Sequence, residues 1–269
     1  LPQSIEKAYG EAFLVNRLKS HQAAFDTNTR DGTARFDLTE EHTSTHPMLR
    51  RVNNPVEISQ DYMQAMRDSM VADYVADLIG PNIKFHHSKL NCKQPGSQTE
   101  VKWHQDFCYT PHSNDDLITT LLMLDDIVEE NGALEVLPGS HQGCIESLWQ
   151  DGVFTGAISD QKAKEIRKNS HLCVGSAGSV CLMHTRLLHG SAPNLSSKSR
   201  NLFICVYSAE DAYPLCPSPV SAVDEGMIIR GKKTNNIRSN AFKMTKPEKG
   251  EGASFFDLQQ KAVQKRSLM

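Results

Sequence analysis

Residues 103–124 of the chain read WHQDFCYTPHSNDDLITTLLML. Within this stretch, residues 116–124 form a short, mainly apolar segment with several β-branched side chains, which is typical of a buried strand. Similar segments lie at 83–93, 133–137, 179–189 and 201–207, and clusters of Gly, Pro, Asn and Ser separate them. Many short strands divided by turns predict a mainly β domain of the sandwich or jelly-roll type.

The first third of the sequence has a different pattern, because its apolar residues recur at helical spacing over 4–18 and 55–79. We therefore expect a mainly helical N-terminal layer over 1–82, a jelly-roll core over 83–215 and a C-terminal extension over 216–269. A short helix at 162–168 falls within an insertion at 149–170, which we interpret as a lid. A single domain over 1–269 is the simplest organisation.

Composition excludes several classes of partner. A net charge of -3 and a pI near 6.4 provide no basic field for nucleic acid or an anionic membrane. No apolar stretch approaches the roughly 20 residues that cross a bilayer. The seven cysteines are scattered and form no CxxC pair, which predicts a reducing compartment and hence a cytoplasmic location. We expect a small-molecule substrate, and the oligomeric state stays open.

A candidate metal site begins at His104 and Asp106. Residues two apart in an extended strand share a face, so this imidazole and this carboxylate can bind one ion together. A second histidine would complete the two-histidine, one-carboxylate set that leaves positions open for substrate and O2. His189 follows an apolar strand and is the candidate, whereas His184 would face the other side of the same predicted strand. The H-x-D tripeptide alone is weak evidence, since it is common by chance.

Arg200 is a candidate anion-binding residue. The turn-forming residues between His189 and Arg200 predict a hairpin, which would place Arg200 on the strand next to that of His189. An inward guanidinium in an apolar strand needs an anionic partner, and its planar fork suits a carboxylate. A keto dicarboxylate would meet both needs, because one end chelates the metal and the other reaches Arg200.

The two motifs together carry a family resemblance. The run WHQDFCYTPHSNDDLITTLLMLDDIVEENGALEVLPGSHQG at 103–143, followed by HGSAPNLSSKSR at 189–200, resembles the phytanoyl-CoA dioxygenase family of Fe(II)/2-oxoglutarate oxygenases. The resemblance spans roughly 85–215 and implies a double-stranded β-helix, a cupin-like jelly roll. It implies His104, Asp106 and His189 as iron ligands, and Arg200, assisted by Ser191, as the 2-oxoglutarate clamp.

The same resemblance implies the reaction. Fe(II), 2-oxoglutarate and O2 would oxidise an unactivated C–H bond, with release of succinate and CO2. Halogenating relatives have no acid at the position of Asp106, so its presence favours hydroxylation or a closely related oxidation, such as desaturation or ring closure.

The strand at 83–93 supplies candidate cavity residues. His87, Lys89, Asn91 and Lys93 alternate and therefore share a face; of the adjacent His86 and His87, at most one is expected to point inward. We expect Lys89 and His87 to contact 2-oxoglutarate, and the polar face favours a small or medium-sized polar metabolite. Candidate substrate contacts are Asn91, Lys93, Tyr109, His112 and Arg186.

Two alternatives remain at this level. One is a cupin-like isomerase or hydrolase that uses a metal without a keto acid, and Arg200 argues against it. The other is a non-catalytic jelly roll that binds a small molecule, and the intact set of three ligands argues against that.

Overall fold

The computed structural model describes residues 35–39, 48–96, 98–220, 222–248, 256 and 259. These residues form thirteen strands, three α-helices and several single 3-10 turns. The helices are α1 (Gln60–Arg67), α2 (Val71–Ile79) and α3 (Asp160–Ile166). The strands are β1 (Arg35–Leu38), β2 (Leu49–Asn53), β3 (Ile83–Lys93), β4 (Val101–His104), β5 (Leu117–Met123), β6 (Leu134–Val136), β7 (Trp149–Gln150), β8 (Val153–Phe154), β9 (His171–Cys173), β10 (Val180–His184), β11 (His189–Ser191), β12 (Arg200–Ala209) and β13 (Ile228–Arg230).

Two antiparallel sheets make up the core. The larger has the order β1-β2-β3-β12-β5-β10, with β13 also on β3, and the smaller has the order β4-β11-β6-β9. Leu121, Leu202 and Ile204 of the larger sheet pack against Leu134 and Val136 of the smaller one. The inner faces of the two sheets therefore enclose one apolar layer, and the predicted jelly roll is confirmed.

Helices α1 and α2 cover the outer face of the larger sheet. Met66 and Val75 are fully buried there, in one cluster with Phe85 and Leu90 of β3. The hydroxyl of Tyr207, on β12, donates to the backbone carbonyl of Met66 at 2.7 Å. The helical segment predicted over 55–79 is thus present, as a 3-10 turn followed by two short helices. None of the helices in the described ranges has the length and apolar character needed to cross a membrane.

The expectation of a mainly helical layer over 1–82 needs correction at Arg35–Leu38 and Leu49–Asn53. These segments contribute β1 and β2, and β2 pairs with β3. The sequence does not predict a strand here, because two adjacent arginines are typical of an exposed segment. Arg50 and Arg51 are nevertheless buried. Pairing with the distant β3 decides the conformation. The larger sheet also extends past 83–215 through β13, and the predicted helix at 4–18 lies outside the described residues.

The insertion at 149–170 contains the β7–β8 hairpin and α3. Helix α3 begins two residues before the predicted 162, because the Ser159 hydroxyl caps it by accepting from the backbone N–H of Lys162 at 3.3 Å. Phe154 and Ile158 pack against Trp103. The backbone N–H of Ile158 donates to the carbonyl of Trp103 at 2.9 Å. The insertion is therefore attached to the strand that carries His104.

Candidate metal centre and keto-acid site

Three of the predicted site residues converge between the sheets. His104 ends β4 and His189 begins β11, and the two residues are direct partners in the strand pairing. The Nε2 atoms of His104 and His189 lie 3.4 Å and 3.7 Å from Oδ1 of Asp106. Ligand atoms of all three residues lie within 4.8 Å of one another. One divalent ion can contact all three at once.

Asp106 reaches this position by a route that differs from the prediction. Strand β4 ends at His104, and Asp106 opens a 3-10 turn in which its carbonyl accepts from the backbone N–H of Tyr109 at 2.9 Å. Gln105 between them is extended, and its side-chain amide donates to the carbonyl of Arg186 at 2.6 Å. The one extended residue keeps His104 and Asp106 on the same side, although they do not share a strand.

The strand predicted over 179–189 is also broken. Strand β10 ends at His184 in the larger sheet, and β11 starts at His189 in the smaller one. A turn separates them, in which the backbone N–H of Leu187 donates to the carbonyl of His184 at 2.9 Å. His184 packs its ring against that of His141, with the centroids 5.4 Å apart. The structure therefore brings His189 to Asp106 and leaves His184 in the opposite sheet.

Backbone carbonyls orient both histidines. Nδ1 of His104 lies 2.8 Å from the carbonyl of Lys102, and Nδ1 of His189 lies 2.9 Å from that of Leu187. A carbonyl only accepts, so each Nδ1 carries the proton and each Nε2 presents a lone pair toward Asp106. Gly190 lets strands β11 and β4 lie close together beside the two histidines. A Cβ at this position would lie 2.9 Å from the carbonyl oxygen of Val101 on β4.

The protonation states suit a metal site. Burial, together with the neighbouring His104, lowers the pKa of His189 to about 4, so its imidazole is neutral near pH 7. Burial by itself would raise the pKa of Asp106. The charge of Lys89 and the two histidines outweigh burial and hold that pKa well below its ordinary value. A neutral imidazole and an ionised carboxylate are the forms that bind metal.

Thr119 is a member of the site that the sequence reading missed. Its hydroxyl, on β5, donates to Oδ2 of Asp106 at 3.1 Å. The hydrogen bond fixes the carboxylate so that Oδ1 faces the histidines. The available signal was a polar residue inside an otherwise apolar strand, since such a buried group needs a hydrogen-bond partner.

A second group of residues surrounds Arg200. Arg200 and Lys93 are direct cross-strand partners, and both are buried. One terminal nitrogen of Arg200 donates to the carbonyl of Gly132 at 2.7 Å, whereas its Nε is buried without a partner. The ammonium of Lys93 donates to the Ser191 hydroxyl at 2.8 Å and to the carbonyl of Ala192.

This pair of cations is unstable by itself. Burial and the charge of Arg200 lower the pKa of Lys93 to about 6, and burial lowers that of Arg200 to about 10. Like charges directly opposite each other destabilise a sheet, and a buried charge without a partner is costly. Among the described residues neither Arg200 nor Lys93 forms an ion pair, and the free Nε of Arg200 can donate a hydrogen bond to an anionic ligand.

Arg200 lies in the sheet opposite His189, so the predicted placement on neighbouring strands is wrong. Residues 192–199 do not form a hairpin but cross from the smaller sheet to the larger one. The side-chain amide of Asn194 holds this crossing by donating to the carbonyls of Lys93 at 2.9 Å and Lys198 at 2.7 Å. The crossing therefore brings Ser191 to Lys93 and Arg200 from across the cavity.

Strand β3 contains an irregularity at its two adjacent histidines. The register with β12 shifts between Val206 and Tyr207, and both His86 and His87 are buried. Their Nδ1 atoms lie 2.6 Å apart. The bulge brings the two adjacent rings into contact, and the expectation that at most one of them points inward stays a prediction. His112 is also buried, with its ring 5.0 Å from that of His86.

The remaining predicted cavity residues fall into different environments. Tyr109 lies beside His104, with ring centroids 5.7 Å apart, and its hydroxyl donates to the carbonyl of Gly156 at 2.5 Å. Arg186 forms an ion pair with Asp115 at 2.6 Å, so its charge is already balanced. Asn91 presents a buried Oδ1 without a hydrogen-bond partner. Lys93 belongs to the Arg200 group, and Lys89 is partly buried on the same face of β3.

Known proteins share these features. The model of the phytanoyl-CoA dioxygenase family matches residues 7–202. A probable alpha-ketoglutarate-dependent hypophosphite dioxygenase of Stutzerimonas stutzeri is 35% identical over 216 residues, which cover 79% of this chain and 75% of that protein. An ectoine dioxygenase of Streptomyces anulatus is 27% identical and covers 71% of this chain and 70% of its own length.

A solved structure agrees with the fold. EctD from S. alaskensis with bound Fe superimposes with a TM-score of 0.62 at 20% identity, covering 83% of this chain and 79% of that one. The family match also argues against the metal isomerase and the non-catalytic jelly roll. The chain therefore belongs to the phytanoyl-CoA dioxygenase family, and it is an Fe(II)- and 2-oxoglutarate-dependent dioxygenase.

Proposed function

We propose that His104, Asp106 and His189 bind the iron, and that Arg200, Lys93 and Ser191 bind the far carboxylate of 2-oxoglutarate. The enzyme then hydroxylates a C–H bond of a small or medium-sized metabolite. The observation that carries this proposal is the convergence of two Nε2 atoms and one carboxylate within 4.8 Å. The donor set of nitrogen and oxygen suits divalent iron and leaves coordination positions for other ligands.

The buried cations explain the choice of co-substrate. The Nε of Arg200 and the ammonium of Lys93 offer donors to one carboxylate, and Ser191 is already bonded to Lys93. Lys93, which we first considered as a substrate contact, is therefore assigned to 2-oxoglutarate. Leu121, Leu202 and Ile204 form the buried wall of the same inner face. Such a wall excludes water from the space between the metal and the clamp.

The protein contributes positions and hydrogen bonds to the reaction. Iron with 2-oxoglutarate and O2 supplies the oxidant that removes hydrogen from the substrate, and succinate and CO2 are released. The carbonyls of Lys102 and Leu187 fix the histidine rings, and Thr119 fixes Asp106. Partners of this kind are worth about 10- to 100-fold in metal affinity.

Product analysis tests the reaction. The iron-loaded enzyme is incubated with 2-oxoglutarate, isotopically labelled O2 and a panel of small polar metabolites, and succinate and product mass are measured. We expect a substrate that gains one labelled oxygen atom for each succinate formed. A product that has lost two hydrogen atoms instead would replace hydroxylation with desaturation or ring closure.

Lys93 gives the site a pH dependence. Its pKa of about 6 in the ligand-free protein means that it is mostly neutral at pH 7 and above. The carboxylate of 2-oxoglutarate stabilises the ammonium form, so we expect binding above pH 6 to take up a proton at Lys93. Calorimetry in buffers of different ionisation enthalpy measures this uptake, which Lys93→Met should lack.

The lowered pKa of Lys93 also makes the free energy of unfolding depend on pH. An unfolded lysine stays protonated up to about pH 10.4, so between the two pKa values the unfolded state binds more protons than the folded one. The stability of the ligand-free protein should therefore rise with pH in this window, and less so in Lys93→Met. Lys168→Met, at an exposed lysine, is the control. Identical pH profiles for Lys93→Met and wild type would contradict the assignment.

The organisation of the chain is part of the proposal. The hydrogen bond from Ile158 to Trp103 supports a role for 149–170 as a cover over the site within a single domain. The cytoplasmic location stays a prediction.

A further inference from the structure

We propose that the substrate carries an anionic group and that this group binds beside the metal centre against Lys89, on the β2–β3 side of the cavity. The inference rests on the function proposed above and adds the chemical class of the substrate. The class is a small oxyanion, meaning a phosphorus oxyanion or a carboxylate.

The strand register places Lys89 close to the metal ligands. On the inner face of the larger sheet, His87 pairs with Val206, and Val206 pairs with Thr119, the residue bonded to Asp106. Lys89 is the next residue on that face of β3, opposite Ile204. The charges of Lys89 and Asp106 act on each other's pKa, which agrees with their proximity.

Two further polar groups adjoin Lys89. Asn91 follows it on the same face and pairs across to Arg51 of β2. We call Lys89, Asn91 and Arg51 the basic patch. The patch spans β2 and β3, whereas the clamp is formed by Lys93 at the end of β3 and Arg200 at the start of β12, so the two can bind different molecules.

Within the described residues, the ammonium of Lys89 has no hydrogen-bond or ion-pair partner. By contrast, the ammonium of Lys84 donates to the carbonyls of Glu210 and Ala212 at 2.7 Å and 2.8 Å. The Oδ1 of Asn91 is also buried without a partner. Partial burial of a charged group without a partner has a cost, which an anionic ligand would offset.

The balance of charges indicates the sign of that ligand. Arg200 and Lys93 face only the far carboxylate of 2-oxoglutarate, whereas Asp106 and the other carboxylate together would offset the two charges of Fe(II). One positive charge then remains at the clamp, and Lys89 adds another beside the metal site. Arg50 does not change this count, because it forms an ion pair with Asp37 at 2.6 Å. A neutral substrate would leave the surplus buried, whereas an anion compensates it.

The chemistry is balanced for either kind of oxyanion. One oxygen atom of O2 enters a C–H or P–H bond of the substrate, and the other enters succinate. 2-Oxoglutarate loses CO2 and supplies the two electrons. A P–H substrate has a precedent in the name of the relative from Stutzerimonas stutzeri, a hypophosphite dioxygenase.

The test uses the complete protein loaded anaerobically with Fe(II) and 2-oxoglutarate. The visible iron-to-keto-acid charge-transfer band is recorded first, and its change is then followed with hypophosphite, phosphite, methylphosphonate and acetate, and with uncharged acetamide. We expect at least one anion to bind, and acetamide not to. Lys89→Met should weaken that binding by about 10- to 100-fold, the value of a hydrogen bond to a charged group, and Lys89→Arg should largely restore it.

The controls separate the possible failures. Lys233→Met, at an exposed lysine outside the insertion, should behave as wild type, and the unfolding temperature of Lys89→Met shows whether that variant folds. Band formation without binding of any of the anions, or with equal binding by Lys89→Met, would overturn the inference and leave the proposed function intact. Absence of the band in the wild type would remove both. If only phosphorus compounds bind, or only acetate does, the result identifies the oxyanion.

Discussion

Asp106→Ala is expected to abolish the iron-to-keto-acid charge-transfer band and all substrate-dependent succinate formation. Asp106 supplies the only carboxylate of the three-ligand cluster found in the described residues. Loss of a partner that merely orients a ligand already costs about 10- to 100-fold in metal affinity, so loss of the ligand should cost more. Anaerobic titration of Fe(II) into metal-free protein with excess 2-oxoglutarate measures the effect.

The matched control for this experiment is Asp77→Ala. Asp77 is an exposed acid on α2, on the far side of the larger sheet from the site. It should form the band at the wild-type iron concentration. A band of full intensity in Asp106→Ala would show that the carboxylate is not a ligand, and the assignment of the metal site would then be wrong.

Arg200→Ala should have the second-largest effect, on 2-oxoglutarate rather than on iron. The guanidinium is buried and has a free Nε, so its removal leaves the co-substrate carboxylate with Lys93 and Ser191 alone. Loss of one partner of a buried charge pair costs about 2–5 kcal/mol, which corresponds to roughly 30- to 5000-fold in affinity. The 2-oxoglutarate concentration at half-maximal band intensity should rise by that factor.

Two comparisons make the result for Arg200 specific. Arg200→Lys keeps the charge but loses the fork, so it should lie between the wild type and Arg200→Ala. Arg167→Ala, at an exposed arginine of the insertion, should not change the titration. Iron affinity measured without 2-oxoglutarate should be the same in all four proteins. An unchanged requirement for 2-oxoglutarate in Arg200→Ala would contradict the clamp.

Local sequence was sufficient to place His104 and Asp106 side by side. His104 and Asp106 are two residues apart, and one extended residue between them keeps them on the same side even though the strand ends at His104. The alternation of His87, Lys89, Asn91 and Lys93 likewise follows from the period of a strand. Such features depend on backbone geometry over a few residues, so a sequence pattern predicts them.

Other features depended on contacts between distant segments. The break between His184 and His189 sends the two histidines into opposite sheets, and the crossing held by Asn194 sends Arg200 away from His189. Sequence spacing alone is compatible with one long strand followed by a hairpin. The choice is made by which backbone groups find partners elsewhere in the chain, and no local pattern encodes this.

The sequence by itself thus determined the fold class, the three candidate ligands and Arg200, because these follow from short periods and from residue chemistry. Only the tertiary structure decided that Lys93 joins Arg200, that Thr119 holds Asp106, and that Lys89 is left unmatched. Each of these relations depends on the register between strands that are far apart in sequence. The register is set by backbone hydrogen bonds and burial across the whole sheet, so it exists only once the chain has folded.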